Sequence, residues 1–566
     1  MKRTYLPADF KVTTWDSLKP YFDELLSRNI SSSKELYTWY LNRSEFESAI
    51  SEDLGWRYIK MTCDTTNEEI KNNFNFFVSE LQPAMAPYSN QLDTKALEDP
   101  FLKDLKDTEG FDIVIKLLEK DKALYREENI ELNSEIEQTA HEFGTISAAM
   151  TIVVDDKEIT MQQAADYLLQ TDRDKRAVVW KAIQDRRYQE KTTLDNLYTT
   201  LIGLRNTVSK NAGFENFRDY MFVAMGRFDY SPEDCFSFHE AIKGEVVPIL
   251  NSLSQERKKA LKLDALKPWD LSVNYFGDTP LKPFKDADDL TEKTIQCFSK
   301  LDAYTAECIA TMKKMGHLDL MSRKGKAPGG YNYPLDESGV PFIFMNATQS
   351  LRDLVTMVHE GGHALHSFLT ADLELNVFKH PTSEVAELAS MSMELMSMEH
   401  WDIFFENEKD LARAKREHLE SVLQTLPWVA TIDLFQHKIY EKPDHTLAER
   451  ETMWKESFYP FSGTTTDWSG LEKYRENAWQ KQLHLFEVPF YYIEYGMAQL
   501  GAIAVWRNYK KDPQKGYALY KNALAQGYKK SIPEVYKAAG IKFDFSKEYI
   551  KELMDFVKSE LSNLNL

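Results

Sequence analysis

Apolar residues recur at helical spacing, with charged faces between them, over residues 14–50, 66–82, 112–145, 161–211, 232–263 and 286–316. A helical period sustained over so much of a chain commits it to helix packed on helix. Stretch 161–211 shows the pattern, with Ala165, Leu168, Leu169, Val178, Trp180 and Ile183 set among RDKR and DRRYQEK. The turn formers agree. Only 22 Gly and 20 Pro occur in 566 residues, below the usual shares of roughly 7% and 5%, which favours long elements over many short strands. Two stretches break the period. Residues 150–160 (MTIVVDDKEIT) read as a small hairpin turning at Asp155-Asp156, and 340–345 (VPFIFM) as a strand bounded by turn formers. Pro341 places that strand at a sheet edge, or marks the strand's start. Residues 278–283 (DTPLKP) are the most linker-like stretch, short enough for an internal loop.

With 43% hydrophobic residues the chain can bury a large core, so global disorder is excluded. Its 69 basic against 89 acidic residues give a formal charge of −20. That balance disfavours nucleic acid and anionic membrane surfaces as partners, since both demand clustered Lys and Arg. Cys63, Cys235, Cys297 and Cys308 show no metal-finger or redox spacing. Reduced, buried thiols fit a cytoplasmic protein. The first residues hold no apolar run of signal-peptide length, and no stretch of about 18 apolar residues follows, so the chain is expected to begin near Met1 and to span no membrane.

Chemistry concentrates after the strand. Ser350 opens a helix, with Asp353 three residues on as an acidic variant of the capping box. The run SLRDLVTMVHEGGHALHSFL sets Leu351, Leu354, Val358, Leu365 and Leu369 on one side. His359 and His363 lie within about 40° of each other on another face. This is an HExxH: the i, i+4 imidazoles can converge on one ion, and Glu360 can reach a water on that ion without ligating it. Five of the twelve histidines crowd into 359–400. Gly361 and Gly362, each costing roughly 1 kcal/mol in a helix interior, imply close approach of substrate or another backbone. A catalytic zinc wants a third protein ligand and one open position. The extended metzincin pattern fails, because His366 and Leu369 stand where Gly and His are required. The next helix (TSEVAELASMSMELMSMEHW) offers Glu384, Glu387, Glu394 and Glu399, and spacing leaves the choice among them open. Its Met391, Met393, Met396 and Met398 read as core filler.

HEGGHALH followed by E-L-A-S-x-x-x-E at 387–394 resembles the thimet oligopeptidase-like family of zinc metallopeptidases, most closely its oligoendopeptidase F branch. The similarity covers most of the chain, including RKGKAPGGYNY and the strand before the motif. It implies a mainly α, zincin-type fold of two helical lobes about a deep central channel, with one small β-sheet beside the HExxH helix. It selects Glu387 as third ligand, with His359 and His363, of one Zn²⁺ per chain. Glu394 would hold a ligand histidine, and Glu360 would be the base. A polar stretch near the C-terminus, matched by 484–495 (HLFEVPFYYIEY), would supply His484, Tyr492 and Tyr495 as oxyanion donors, with Tyr491 beside them. Glu487, Val488 and Pro489 stand there in place of the glycines of the thimet enzymes. Gly329, Gly330, Tyr331 and Phe344 are expected to line the substrate groove, with strand 340–346 pairing an extended peptide. The expected organisation is an N-terminal helical region at 1–110, a helical region with the hairpin at 111–190, and a catalytic part at 191–566. The implied function is endoproteolysis of short unfolded oligopeptides by a cytoplasmic monomer or weak homo-oligomer. The alternatives are a peptidyl-dipeptidase or a non-catalytic helical peptide-binding scaffold.

Overall fold

The computed structural model describes residues 3–276 and 279–564. It is mainly helical, with a two-stranded and a three-stranded sheet. Two compact units share the chain. The first is built from 1–125, 282–414 and 498–543, and the second from 126–281, 415–497 and 544–566. The linker-like stretch 278–283 contains one of the crossings, at 281/282; its Asp278 lies outside the described residues.

In the first unit, Trp39, Phe46, Phe77 and Phe111 of the N-terminal helices form a core closed by Leu375 and Phe378. Helix Ser33–Cys63 also packs through Ile59 on a sheet of β3 (Leu318–Met321), β4 (Tyr331–Tyr333) and β5 (Phe342–Ala347). The strand order is β3-β5-β4, parallel then antiparallel. Pro341 therefore stands just before β5, and of its two expected meanings the strand start is right: β5 is central, its main chain paired on both sides. In the second unit the hairpin forms as expected, β1 (Thr151–Val154) against β2 (Lys157–Thr160). Asp155 and Asp156 both adopt positive φ, 52° and 59°, as a tight two-residue hairpin turn requires. Ile152 and Val154 pack there on Val179 and Ile183.

Two helices of the first unit matter most. The motif helix, Leu351–Thr370, is capped as its sequence predicts: Ser350 Oγ accepts from the Asp353 amide at 3.2 Å, and Asp353 Oδ2 accepts from the Ser350 amide at 2.8 Å. Beside it runs Ser383–Ser397, in which thirteen of fifteen residues are buried, so this helix lies inside the unit rather than on its surface. Met391, Met393, Met396 and Met398 are all buried core. The two helices meet at Gly362. A Cβ there would lie 2.6 Å from Ser390 Cα and 2.7 Å from Ala389 O. Another backbone, then, is what the second glycine admits. At Gly361 the neighbour is the Phe298 ring, 2.7 Å from an added Cβ.

Candidate functional site

The motif helix carries His359 and His363 on one side, and the close crossing at Gly362 brings Glu387 opposite them. His359 Nε2 is 3.4 Å and His363 Nε2 3.7 Å from Glu387 Oε2. One ligating atom from each residue lies within 4.8 Å of the others. The remaining ring nitrogen of His359, Nδ1, is 2.6 Å from Glu394 Oε1, which orients the ring so that Nε2 faces Glu387. Ser390 Oγ donates to Glu387 Oε2 at 3.0 Å and orients that carboxylate. Asn332 on β4 donates to the Glu360 carbonyl at 3.3 Å, tying the sheet to the motif helix. Neither Ser390 nor Asn332 stood out from sequence, although Ser390 follows Glu387 at i+3, on the same face of one helix.

Burial shapes the charges. Glu360 is 6% exposed. Desolvation, reinforced by Glu387 and Glu394 and opposed by His359, pushes its carboxyl up to about 7. Burial alone would lower His359, but the Glu394 hydrogen bond and the charges of Glu387, Glu394 and Glu360 outweigh it and raise the imidazole to about 10. His363 is held well below its ordinary value, by burial first and by His359 and His366 next, so it is neutral and able to ligate. Three buried carboxylates crowded against two partly exposed imidazoles call for added positive charge. The donor set fits a divalent ion. Bonds of about 2.0–2.1 Å to tetrahedral zinc separate ligand atoms by about 3.3 Å, close to the 3.4 and 3.7 Å found.

The crowd of five histidines does not converge as a whole. His380 binds Asp336 at 3.0 Å, His400 meets Tyr509 Oη at 2.8 Å, and His366 is buried with its Nε2 lacking a hydrogen-bond partner. Of the four glutamates that spacing left open, Glu399 accepts from Trp506 Nε1 at 2.9 Å, and Glu384 lies outside the ligating group. Among the described residues one other group could hold an ion, Cys235, Asp433 and His437 in the second unit. There Asp433 already pairs with His239 Nε2 at 2.9 Å.

Gly329 and Gly330 are exposed, and a Cβ on Gly330 would sit 3.5 Å from Thr356 of the motif helix. Tyr331 stacks on Phe344 at 4.9 Å and shares a 2.6 Å hydrogen bond with Thr62 Oγ1. The expectation for strand 340–346 and Phe344 needs correction. Both edges of β5 are paired and Phe344 is fully buried, so neither its backbone nor its ring is open to a peptide. The sheet edge beside the motif helix is β4, which among the described residues has β5 as its one strand neighbour.

His484, Tyr491, Tyr492 and Tyr495 cluster within the second unit. Ring centroids lie 4.8 Å from His484 to Tyr492, 5.8 Å to Tyr495 and 6.3 Å to Tyr491. Buried cations hold this stretch: Arg205 donates to Leu485 O at 2.9 Å and to Phe486 O, and Arg227 donates to Phe490 O and, at 3.0 Å, to Glu494. Gln436 accepts from the Phe490 amide at 2.7 Å, where φ is +67°, a left-handed conformation rare for a bulky residue. Burial lowers His484 to about 4 and raises Tyr492 to about 12.

A mainly helical chain with an HExxH pair and a third ligating carboxylate has the architecture of a metallopeptidase. Peptidase family M3 matches residues 167–555, and the Peptidase M3 N-terminal domain matches 6–125. The chain belongs to peptidase family M3. It is 24% identical over 394 residues to oligopeptidase PepF of Bacillus subtilis (strain 168), covering 68% of this chain and 57% of that one. An oligoendopeptidase F homolog of Mycoplasma pneumoniae is 26% identical over 360 residues, covering 59% of this chain and 55% of its own. The chain thus spans little more than half the length of these curated relatives. The solved structure of PZ peptidase A with an inhibitor superposes with a TM-score of 0.91 at 25% identity, covering 99% of this chain and 100% of the other.

Proposed function

We propose that the chain is a zinc-dependent endopeptidase acting on short unfolded oligopeptides. The observation that carries this reading is the convergence of His359 Nε2, His363 Nε2 and Glu387 Oε2, with the buried carboxyl of Glu360 on the same helix. His359, His363 and Glu387 would hold one zinc, which when bound supplies Lewis acidity to polarise the scissile carbonyl and acidify a water. Glu360, buried on the same helix with its carboxyl raised by desolvation, would accept that water's proton and deliver it to the leaving amine. Glu394 keeps His359 oriented. His484, Tyr492 and Tyr495 are proposed as hydrogen-bond donors to the oxyanion, on their mutual clustering and the family resemblance; burial keeps the Tyr492 phenol protonated. The β4 edge, bordered by Gly329 and Gly330, takes over the substrate-pairing role expected of β5.

The preference for short peptides rests on the relatives' names, oligopeptidase and oligoendopeptidase. A cytoplasmic location belongs to the same reading: none of the four cysteines forms a disulfide, and no described helix is long and apolar enough to cross a membrane. The test is digestion of an internally quenched peptide blocked at both ends, by wild type and by Glu360→Gln, with zinc content measured in each. Wild-type cleavage, a loss of about 10²–10⁴-fold in the variant and equal zinc in both are expected. Cleavage confined to peptides with a free C-terminus, two residues at a time, would instead indicate a peptidyl-dipeptidase. Turnover unchanged in the variant would end the proposal.

A further inference from the structure

The second unit holds a cavity of about 720 Å³ whose lining includes none of the residues assigned above, although Trp428 on its wall bonds Gln482, the hydrogen-bond partner of His484. Its walls are largely aromatic and aliphatic, with Trp180, Trp428, Phe458 and Tyr474 prominent, and its volume falls within the range of small-molecule sites. Three cations line it, Arg187, Arg257 and Lys481, of which Arg257 is already paired with Glu420 at 3.3 Å. Arg187 and Lys481 make no ion pair with a carboxylate among the described residues, although the chain carries a net charge of −20. Lys481 lies over the Trp428 ring at 4.7 Å.

Lys481 is solvent-exposed as a residue, yet its surroundings are close enough to push the ammonium down to about 8, through desolvation first and the Arg187 charge second. Arg187 is likewise lowered by burial. The acid on the wall is already satisfied: Glu420 accepts from Arg416 at 2.9 Å and from Arg257 at 3.3 Å. Two like charges facing one apolar recess repel each other and lack a counter-charge, so an anion entering there gains both Coulomb attraction and a forked guanidinium donor. The aromatic walls favour an anion with an apolar body over a bare inorganic one.

We infer that this cavity is a binding site for an organic carboxylate with an apolar or aromatic body, the class to which the free C-terminus of an oligopeptide belongs. The carboxylate site stands on Arg187 and Lys481. Assigning a peptide to it rests on the proposed peptidase activity. Trp180 and Trp428 in the wall supply the readout.

The experiment titrates the full-length, zinc-loaded Glu360→Gln protein by tryptophan fluorescence with three probes: a hexapeptide acid ending in Phe, its C-terminal amide, and N-acetylphenylalanine. The acid should bind at least about tenfold tighter than the amide, as expected for loss of a charge-assisted hydrogen bond. Arg187→Met and Lys481→Met should each weaken the acid by about tenfold or more, whereas Lys481→Arg should retain binding. Binding of N-acetylphenylalanine through the same two cations points to small organic acids as occupants, and binding of the peptide acid alone to substrate or product; either supports the site. Equal affinity for acid and amide, unchanged affinity in both methionine variants, or no response to any probe at millimolar concentration overturns it. If the wild type hydrolyses no peptide while N-acetylphenylalanine still binds through Arg187 and Lys481, the peptidase reading falls and this one stands.

Discussion

Replacing Gly362 by alanine tests whether the crossing of the two helices sets the geometry of the ligating group. The added Cβ would lie 2.6 Å from Ser390 Cα, 2.7 Å from Ala389 O and 2.9 Å from Met393 Cβ. The first two are backbone atoms, so no rotamer change relieves them; the helices must separate by about 0.8 Å to restore ordinary contact. Overpacking of this kind costs about 1–3 kcal/mol, offset by about 1 kcal/mol from alanine's better helix propensity. The net stability loss is therefore modest. Metal affinity is the sensitive readout, because His363 follows Gly362 directly, Glu387 sits three residues before Ser390, and ligand distances tolerate only about 0.2 Å.

We expect Gly362→Ala to weaken zinc binding by at least about tenfold, read by competition with a chromophoric chelator. Gly361→Ala is the control. Its Cβ meets the buried Phe298 ring at 2.7 Å, a comparable strain directed at a side chain of helix Ala287–Leu301 rather than at the Ser390 backbone. It should lower the melting temperature similarly and leave zinc affinity within a few-fold of wild type. Wild-type zinc affinity in Gly362→Ala, or an equal loss in Gly361→Ala, would refute the reasoning.

Glu394→Gln should lower zinc affinity about 10–100-fold while the helices stay folded, measured by the same chelator competition and by circular dichroism. Tyr492→Phe should cut kcat by about tenfold to a thousandfold with little change in KM if its phenol serves the oxyanion; steady-state kinetics on a quenched peptide decide. Acid stability should report on Asp319. Burial would raise its carboxyl, but Arg323 at 2.6 Å and Lys326 at 2.8 Å outweigh that and bring it to about 2. A folded value below the unfolded one means that its contribution, about 2 kcal/mol, is present above pH ~4 and lost as pH falls toward 2. Urea unfolding at pH 6 and pH 3 should therefore show a smaller pH effect in Asp319→Asn than in wild type.

Features governed by neighbours a few residues away were legible. The Ser350–Asp353 cap, the paired positive φ at Asp155 and Asp156, and the facing of His359 and His363 all follow from spacings of one to four residues. The reason for Gly362 was legible in kind, as a close approach, but its partner was not, since Ser390 is brought there by packing. Glu387 could not be separated from Glu384 by periodicity, because the two share a face; only the direction from which the motif helix approaches distinguishes them. Pro341 was compatible with an edge or a strand start, and the choice depended on β3 and β4 flanking β5, a long-range arrangement that local pattern does not encode. The substrate-pairing role of β5 failed for that reason. The cavity bearing Arg187 and Lys481 was invisible for a similar one: two cations nearly 300 residues apart carry no joint signature until the fold assembles them.

The braided division of the chain also constrains its birth on the ribosome. Residues up to 125 emerge well before the rest of their unit, which is completed only when 498–543 has been made. At elongation rates of about 5–20 residues per second the intervening residues take roughly 20–80 s to synthesise. During that interval the aromatic cluster of Trp39, Phe46 and Phe111 lacks Leu375 and Phe378 until those residues are translated. A nascent chain stalled anywhere before residue 375 should thus expose an apolar face to chaperones, and splitting the gene at either of the first two crossings should yield fragments that fold only when co-expressed.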